Sequence, residues 1–221
     1  MTVIVSVLKC GPEYQARHAQ WLHRQLAGYE SLCLTDAGHI DGVRTVPLLY
    51  DWPGWWSKIE AFNPDRADIG GQDILLLDLD TVVTGNLSSF LEPRQFTALT
   101  DFYREQLPAA PMASAVMYIP ASIKRAVWSN WLADPAGHMQ ECTRPEKHGD
   151  QGFIGSVLAA ERWQNILPGA AISYKKDVAA VGRWSRSVGT GTVPDDTRLV
   201  CFHGQPRPWN SGEPWVPPLN A

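Results

Sequence analysis

The sequence lacks long apolar runs, basic blocks and the signals of export. None of its apolar runs approaches the ~20 residues that a membrane-spanning helix needs. The N-terminus has no basic region followed by a long apolar stretch, so we expect neither a transmembrane segment nor a signal peptide. The net charge is −4 and no basic cluster is present, which argues against nucleic acid as a partner.

Cysteine is also scarce. The four cysteines show no metal-site spacing, and three of them lie in apolar, strand-like runs, where cysteine behaves as a small buried apolar residue. This usage favours a reducing compartment, so we expect a cytoplasmic protein. The 221 residues, 44% hydrophobic and 19% charged, are typical of one globular domain. We expect a single domain over residues 1–221, with a tail rich in Pro and Trp over 204–221.

The most informative segment is the apolar run Ile74-Leu75-Leu76-Leu77, which leads directly into Asp78-Leu79-Asp80. A short continuous apolar run predicts a strand that is buried on both faces. Residues i and i+2 of an extended chain point the same way, so the two carboxylates can converge at the strand end. Two carboxylates at such a place are costly unless a positive charge lies between them, and a hard divalent cation is the usual solution.

The remaining pattern predicts an α/β fold. Helical patterns cover 14–26, 55–62, 123–132 and 151–160, and strand-like runs cover 3–8, 32–34, 74–77, 81–84, 115–119 and 199–202. The segment 134–149 is polar and reads as irregular. Strands alternate with helices in the first half of the chain, which predicts a mainly parallel, Rossmann-like central sheet flanked by helices.

Three polar clusters follow predicted strands: Lys9-Cys10-Gly11, Asp78-Leu79-Asp80 and His203-Gly204-Gln205. Ligands of open α/β sheets bind outside the carboxyl ends of the strands. If the three strands are parallel neighbours, one crevice collects two carboxylates, an imidazole and a lysine. Carboxylates with one histidine suit Mn²⁺ or Mg²⁺, and the histidine favours Mn²⁺. Such a cation can neutralise charge that builds on a diphosphate leaving group.

Four segments, in order, resemble motifs of the retaining nucleotide-sugar glycosyltransferases of the glycogenin and bacterial lipooligosaccharide galactosyltransferase kind, which have the GT-A fold. Asp78-Leu79-Asp80 resembles their Asp-X-Asp signature. The other three segments are the lysine-bearing 55–62, the Gly-Asp-Gln of 149–151 and the His-Gly…Pro-Trp of 203–209. The resemblance covers nearly the whole chain and implies a single-domain GT-A-like fold.

The resemblance implies a role for each matching position. Asp78, Asp80 and His203 would hold the metal, Mn²⁺ or Mg²⁺. The donor, expected to be a UDP-sugar, would be bound by residues of three of these segments and of the first loop: Lys9, Tyr14, Lys58, Asp78, Leu79, Asp80, Gly204 and Arg207. Asp150 would lie beside the donor sugar and Gln151 on its reacting face, both as catalytic residues. The acceptor would be a glycan, a lipid-linked saccharide, a protein or a small molecule.

The sequence departs from the motifs at two places. The family's Asn-Ser-Gly reads Ala113-Ser114-Ala115, which removes an asparagine that would contact the donor sugar and raises the question of catalytic competence. Arg207 replaces a lysine in the C-terminal motif, and an arginine can also bind phosphate, in a bidentate manner.

Other interpretations remain open for the same residues. Asp150 can cap a helix that starts at Gln151. Trp52, Trp55 and Trp56 can line a sugar subsite, although core packing suits at least one of them. Asp78 and Asp80 also match the opening motif of haloacid-dehalogenase-type phosphatases, with Asp195-Asp196 as further metal ligands. A third possibility is a module that binds a nucleotide or carbohydrate without catalysis.

Overall fold

The computed structural model describes residues 2–145 and 147–220, and within them twelve strands and five α-helices form. The strands are β1 (Val3–Leu8), β2 (Ser31–Thr35), β3 (Thr45–Pro47), β4 (Ile74–Leu77), β5 (Thr81–Val83), β6 (Thr97–Thr100), β7 (Met112–Ile119), β8 (Thr143–Arg144), β9 (Lys147–His148), β10 (Glu161–Arg162), β11 (Ala171–Ser173) and β12 (Leu199–Cys201). The α-helices are α1 (Ala16–Gln25), α2 (Ala121–Ala133), α3 (Pro135–Glu141), α4 (Gly149–Val157) and α5 (Trp163–Ile166). The other helical segments are the 3₁₀ helices Gly54–Phe62, Ser88–Leu91 and Pro208–Asn210, and the π-helix Tyr174–Val178.

The central sheet has seven strands in the order β10-β6-β7-β4-β1-β2-β3 within the described residues. Its neighbouring strands are parallel except around β7, which runs antiparallel to β4 and to β6. The predicted α/β fold with a mainly parallel central sheet is therefore confirmed. Strands β11, β12 and β5 form a second, three-stranded sheet.

Strand β4 lies at the middle of the central sheet and is buried on both faces, as its apolar run predicts. Leu75 and Leu77 pack in one apolar layer together with Trp21 of α1. Ile74 and Leu76 pack in the opposite layer together with Trp131 of α2. Burial of each of these aliphatic side chains stabilises the fold by about 1.5–3 kcal/mol. This packing holds β4 rigidly, and the acid pair follows directly at its carboxyl end.

Strand β12 corrects one expectation, since it is not a parallel neighbour of β1 and β4. It pairs antiparallel with β5, with Val200 opposite Val82. The chain turns sharply after β4, where the amide of Thr81 donates to the carbonyl of Asp78 over 3.1 Å, so β5 leaves the central sheet. The amide of Phe202 then donates to the carbonyl of Asp80 over 3.2 Å, and this bond brings the end of β12 back to the acid pair.

The segment 134–149, predicted to be irregular, contains α3 and the hairpin β8–β9. The carboxylate of Asp134 accepts a hydrogen bond of 2.9 Å from the amide of Gly137, and Pro135 occupies the first helical turn, which explains why α3 begins there. The helix predicted over 55–62 is confirmed in position but is a 3₁₀ helix. Helix α4 begins at Gly149 rather than at Gln151.

The C-terminal tail packs against α1. The indole of Trp209 stacks on the ring of His18 with 4.2 Å between centroids. The indole nitrogen of Trp21 donates to the carbonyl of Pro217 over 2.8 Å. These contacts hold the described part of the tail against α1. Among the described residues, no helix combines the length and apolar character that crossing a bilayer requires.

Candidate active site

A cavity of about 960 Å³ opens beyond the carboxyl ends of β1 and β4. Each residue that the sequence predicted for the site lines it: Lys9, Tyr14, Lys58, Asp78, Leu79, Asp80, Asp150, Gln151, His203, Gly204 and Arg207. They come from five separate parts of the chain, which the two sheets and α4 bring together. A volume of this size suits a ligand as large as a nucleotide sugar.

Lys58 lies between two carboxylates of the cavity. Its Nζ is 2.8 Å from Oδ1 of Asp78 and 3.0 Å from Oδ2 of Asp150. It also donates to Oγ of Ser114 over 3.1 Å. This serine belongs to the Ala-Ser-Ala segment that differs from the family's Asn-Ser-Gly motif. The side chain of Asp150 is 7% exposed and that of Lys58 12%, so the pair is largely dry.

The balance of burial and neighbouring charges raises the pKa values of Lys58 and Asp78. Burial lowers the pKa of Lys58, but the carboxylates of Asp150 and Asp78 outweigh burial and leave that pKa above its ordinary value. Burial raises the pKa of Asp78, Lys58 opposes this shift, and the nearby Asp150 adds to it. Lys58 therefore stays charged, and removing it would leave the buried carboxylate of Asp150 and the half-buried carboxylate of Asp78 close together.

Arg207 occupies the second ion-pair cluster. Its guanidinium pairs with the carboxylates of Asp80 and Glu13, and it lies 4.9 Å from the ring centroid of Tyr14. Burial and the charge of Asp78 raise the pKa of Asp80 well above its ordinary value. Burial, together with the carboxylates of Asp80 and Asp78, raises the pKa of Tyr14, so its phenol stays protonated. The arginine thus joins the first loop, the acid pair and the C-terminal tail.

His203 follows β12 and lies among aromatic side chains. Its Nε2 is 2.7 Å from Oγ of Ser173, and its ring is 5.8 Å from that of Phe102 and 5.1 Å from that of Tyr103. Burial, helped by the charge of Lys175, lowers the pKa of His203 to about 4. The imidazole is therefore neutral at pH 7, the form that a metal ligand must take.

The other predicted residues take more modest positions. The Nζ of Lys9 lies 2.9 Å from Asp36 and 2.5 Å from Asp51, so this lysine joins two loops at the rim. Gly204 has a φ of +75°, a value that L side chains rarely adopt, which explains a glycine directly after His203. Leu79 is buried beneath the acid pair, and Gln151 lies in the first turn of α4.

The predicted metal ligands share the cavity, but each already has a protein partner. Asp78 pairs with Lys58, Asp80 with Arg207, and His203 with Ser173. Across residues 2–145 and 147–220, no three His, Cys, Asp or Glu side chains are grouped so that they could hold a metal ion. Their chemistry nevertheless fits a hard cation, because the carboxylates of Asp78 and Asp80 and the neutral imidazole of His203 line one cavity, and such oxygen and nitrogen donors suit Mg²⁺ or Mn²⁺.

Two of the open alternatives lose support. Asp150 is not the cap of α4, because the helix starts one residue before it and its carboxylate is directed to Lys58. Asp195 and Asp196 are exposed and do not line the cavity, so they are not placed as further metal ligands beside Asp78. The phosphatase interpretation needs that placement.

Several residues that line the cavity or support its lining were not found from the sequence. Glu13 and Ser173 make direct contacts with predicted residues, and Phe102 and Tyr103 form the wall beside His203. Ser173 ends the three-residue strand β11, which is too short to give a clear pattern. Glu13 had a usable signal, since it lies in the same loop as Lys9 and Tyr14.

The sequence matches no protein-family profile and no curated protein. Solved structures do resemble the chain. An active-site variant of LgtC has 12% sequence identity to this chain and a TM-score of 0.61. The galactosyltransferase LgtC in complex with donor and acceptor sugar analogues has 11% sequence identity and a TM-score of 0.60. Each comparison covers 96% of this chain and 91% of that one.

Two further glycosyltransferase structures are similar over parts of longer chains. The apo form of GlyE from Streptococcus pneumoniae has 13% identity and a TM-score of 0.53, covering 95% of this chain and 56% of its own. The bifunctional glycosyltransferase WbbM, also in its apo form, has 12% identity and a TM-score of 0.57, and the comparison covers 97% of this chain and 50% of the WbbM chain. At these identities the likeness concerns the fold. This chain has the GT-A fold seen in these glycosyltransferases.

Proposed function

We propose that the protein is a metal-dependent glycosyltransferase that moves a hexosyl group from a nucleoside diphosphate, UDP by preference, to an acceptor with retention of configuration. One observation carries the proposal. Residues from five parts of the chain, matching donor, metal and catalytic positions of a glycosyltransferase family, line one cavity in a glycosyltransferase fold. Fold alone does not determine function, and it is the chemistry of this cavity that supports sugar transfer.

The charge of the cavity supports a divalent cation as part of the donor complex. A nucleoside diphosphate sugar brings negative charge to a place that already has an excess of carboxylates. Asp78, Asp80 and His203 would hold Mn²⁺ or Mg²⁺, and the cation would neutralise the charge that develops on the departing diphosphate. Arg207 contacts one oxygen of Asp80, and a cation at that oxygen would displace the guanidinium and make it available to a phosphate oxygen.

The chain's own residues suit the remaining tasks. Lys58 holds Asp150 in one position within the cavity, and Asp150 can stabilise positive charge that develops on the sugar ring. Gln151, on the same turn of α4, can offer an amide to that sugar. With retention, the oxygen of the departing phosphate can take the proton of the acceptor hydroxyl, so no separate general base is needed.

The test is UDP release from a panel of UDP-hexoses in the presence of Mn²⁺. A transferase without its acceptor slowly hydrolyses the correct donor, and Asp80→Asn should abolish this release while Asp195→Asn leaves it unchanged. Release of phosphate from a phosphomonoester by the wild type would favour a phosphatase instead. Tight binding of a UDP-hexose without turnover would identify a binding module and refute the proposal of catalysis.

A further inference from the structure

Trp55 differs from the neighbouring tryptophans. Its side chain lines the cavity and the residue is 50% exposed, whereas Trp56, next along the same 3₁₀ helix, is 7% exposed. The rings of Trp56 and Trp52 pack against Trp131, at 5.1 and 5.2 Å between centroids. Those two tryptophans therefore belong to the core. An indole that is half exposed on the wall of a cavity offers an aromatic face to a ligand bound there.

The backbone around Trp55 is built to leave room for its ring. Gly149 has a φ of +62°, and a Cβ atom at this position would lie 3.1 Å from Nε1 of Trp55. Gly54, which precedes the tryptophan, has a φ of +53°. Glycine adopts such values without strain, and the absence of a side chain at Gly149 lets the indole lie close over the start of α4. The ring of His148 lies 5.7 Å away between centroids, tilted by 56°.

We propose that Trp55 and His148 form the acceptor subsite, and that the acceptor is a saccharide whose pyranose ring packs on the indole face. This inference rests on the proposed function and names its acceptor class. One face of a pyranose carries aligned C–H groups that pack on an aromatic ring, while the hydroxyls at its edge seek polar partners. Here the aromatic surface directly adjoins Asp150 and Gln151, where transfer would occur. Asp80, the proposed metal ligand, and Arg207, the proposed phosphate ligand, belong to the other ion-pair cluster.

The experiment is saturation-transfer NMR on the full chain with UDP and Mg²⁺. The probes are the methyl pyranosides of glucose, galactose, mannose and N-acetylglucosamine. We expect C–H signals from at least one of them in the wild type. Trp55→Ala should weaken that signal about fivefold or more, the effect of losing one aromatic contact of about 1 kcal/mol. Trp55→Phe, which keeps an aromatic face, should retain most of it. Tyr50→Ala removes a partly exposed aromatic ring outside the cavity and serves as the matched control.

Calorimetric titration of UDP separates this inference from the proposed function. If the wild type binds no UDP, the proposed function fails. If UDP binds equally to wild type and Trp55→Ala, but no pyranoside gives a signal or the signal survives Trp55→Ala, the acceptor subsite is refuted while the donor site stands. Loss of UDP binding in Trp55→Ala would also refute it, because it would place the indole in the donor site.

Discussion

The guanidinium of Arg207 is ion-paired with the carboxylate of Asp80, although 127 positions separate the two residues. Asp80 is also one of the three residues proposed to hold a divalent cation. A guanidinium and a metal ion cannot both occupy the same face of one carboxylate. If the proposed cation binds Asp80, Arg207 competes with it in the free protein, and we expect the arginine to become a phosphate ligand when the metal and the nucleotide bind together.

Arg207→Gln should bind Mn²⁺ more tightly than the wild type when no nucleotide is present. The substitution frees Asp80 and leaves its carboxylate without a positive partner, so we expect an affinity gain of about tenfold. The signal of free Mn²⁺ in electron paramagnetic resonance measures this directly. UDP affinity in the presence of Mn²⁺ should fall in the same variant, because a phosphate ligand is lost.

The matched control is Arg125→Gln, since Arg125 pairs with Asp65 and both side chains are about two-thirds exposed. It should leave Mn²⁺ affinity unchanged. Unaltered or weaker Mn²⁺ binding by Arg207→Gln would show that Asp80 does not contribute to a metal site.

Lys58→Met should destabilise the fold by about 3 kcal/mol, because the buried carboxylate of Asp150 and the half-buried carboxylate of Asp78 would lose their shared positive partner. The free energy of unfolding in urea at pH 7 is the measurement. Arg125→Met breaks an exposed ion pair and should cost no more than about 1 kcal/mol. Equal losses in the two variants would mean that the Lys58 cluster contributes no more to stability than a surface pair.

Asp150→Asn should keep UDP affinity within about twofold of the wild type and reduce UDP-hexose hydrolysis by about a hundredfold or more. The neutral amide cannot stabilise positive charge on the sugar, whereas the acid pair at residues 78 and 80 is untouched. Steady-state hydrolysis and calorimetry, run on the same preparation, check both parts. Full activity in the folded variant would remove Asp150 from the catalytic mechanism.

Protonation of His23 should lower the free energy of unfolding in mild acid. Its ring is buried between Ser6 and Ser31, at 2.8 and 3.1 Å, and burial lowers its pKa to about 4 from an ordinary value near 6.5. Between these values the unfolded chain binds the extra proton, so stability is present above about pH 6.5 and falls as the pH drops toward 4. His23 alone should account for about 2 kcal/mol between pH 7 and pH 5.

Urea unfolding of wild type and His23→Gln at both pH values checks this prediction. The variant starts less stable but should lose less between pH 7 and pH 5. Part of the loss should remain, because His203 also has a pKa lowered to about 4. Parallel pH dependences would contradict the assignment to His23.

The sequence predicted the parts of the site that depend on local pattern. The apolar run before Asp78 is a complete signal for a strand buried on both faces, and the strand end places the acids without further information. The segment at His203 was recognised by resemblance, but its sheet was not. Pairing of β12 with β5 depends on contacts over more than a hundred positions, and no periodicity within three residues reports them.

The ion pairs of the site were also beyond the reach of the sequence. Lys58 and Arg207 were each assigned to the donor, yet the structure directs them to Asp78, Asp150, Asp80 and Glu13. Whether a basic side chain faces a ligand or a neighbouring acid is decided by distances of a few ångströms between loops. Such distances follow from the packing of the whole chain.

The most direct test of the central claim is a calorimetric titration of UDP into the wild-type protein, once with Mn²⁺ and once with EDTA. The account predicts binding to a single site with Mn²⁺ and at least about tenfold weaker binding with EDTA, because the carboxylates of the cavity would then repel the diphosphate. Equal affinity under both conditions, or no binding under either, would contradict it.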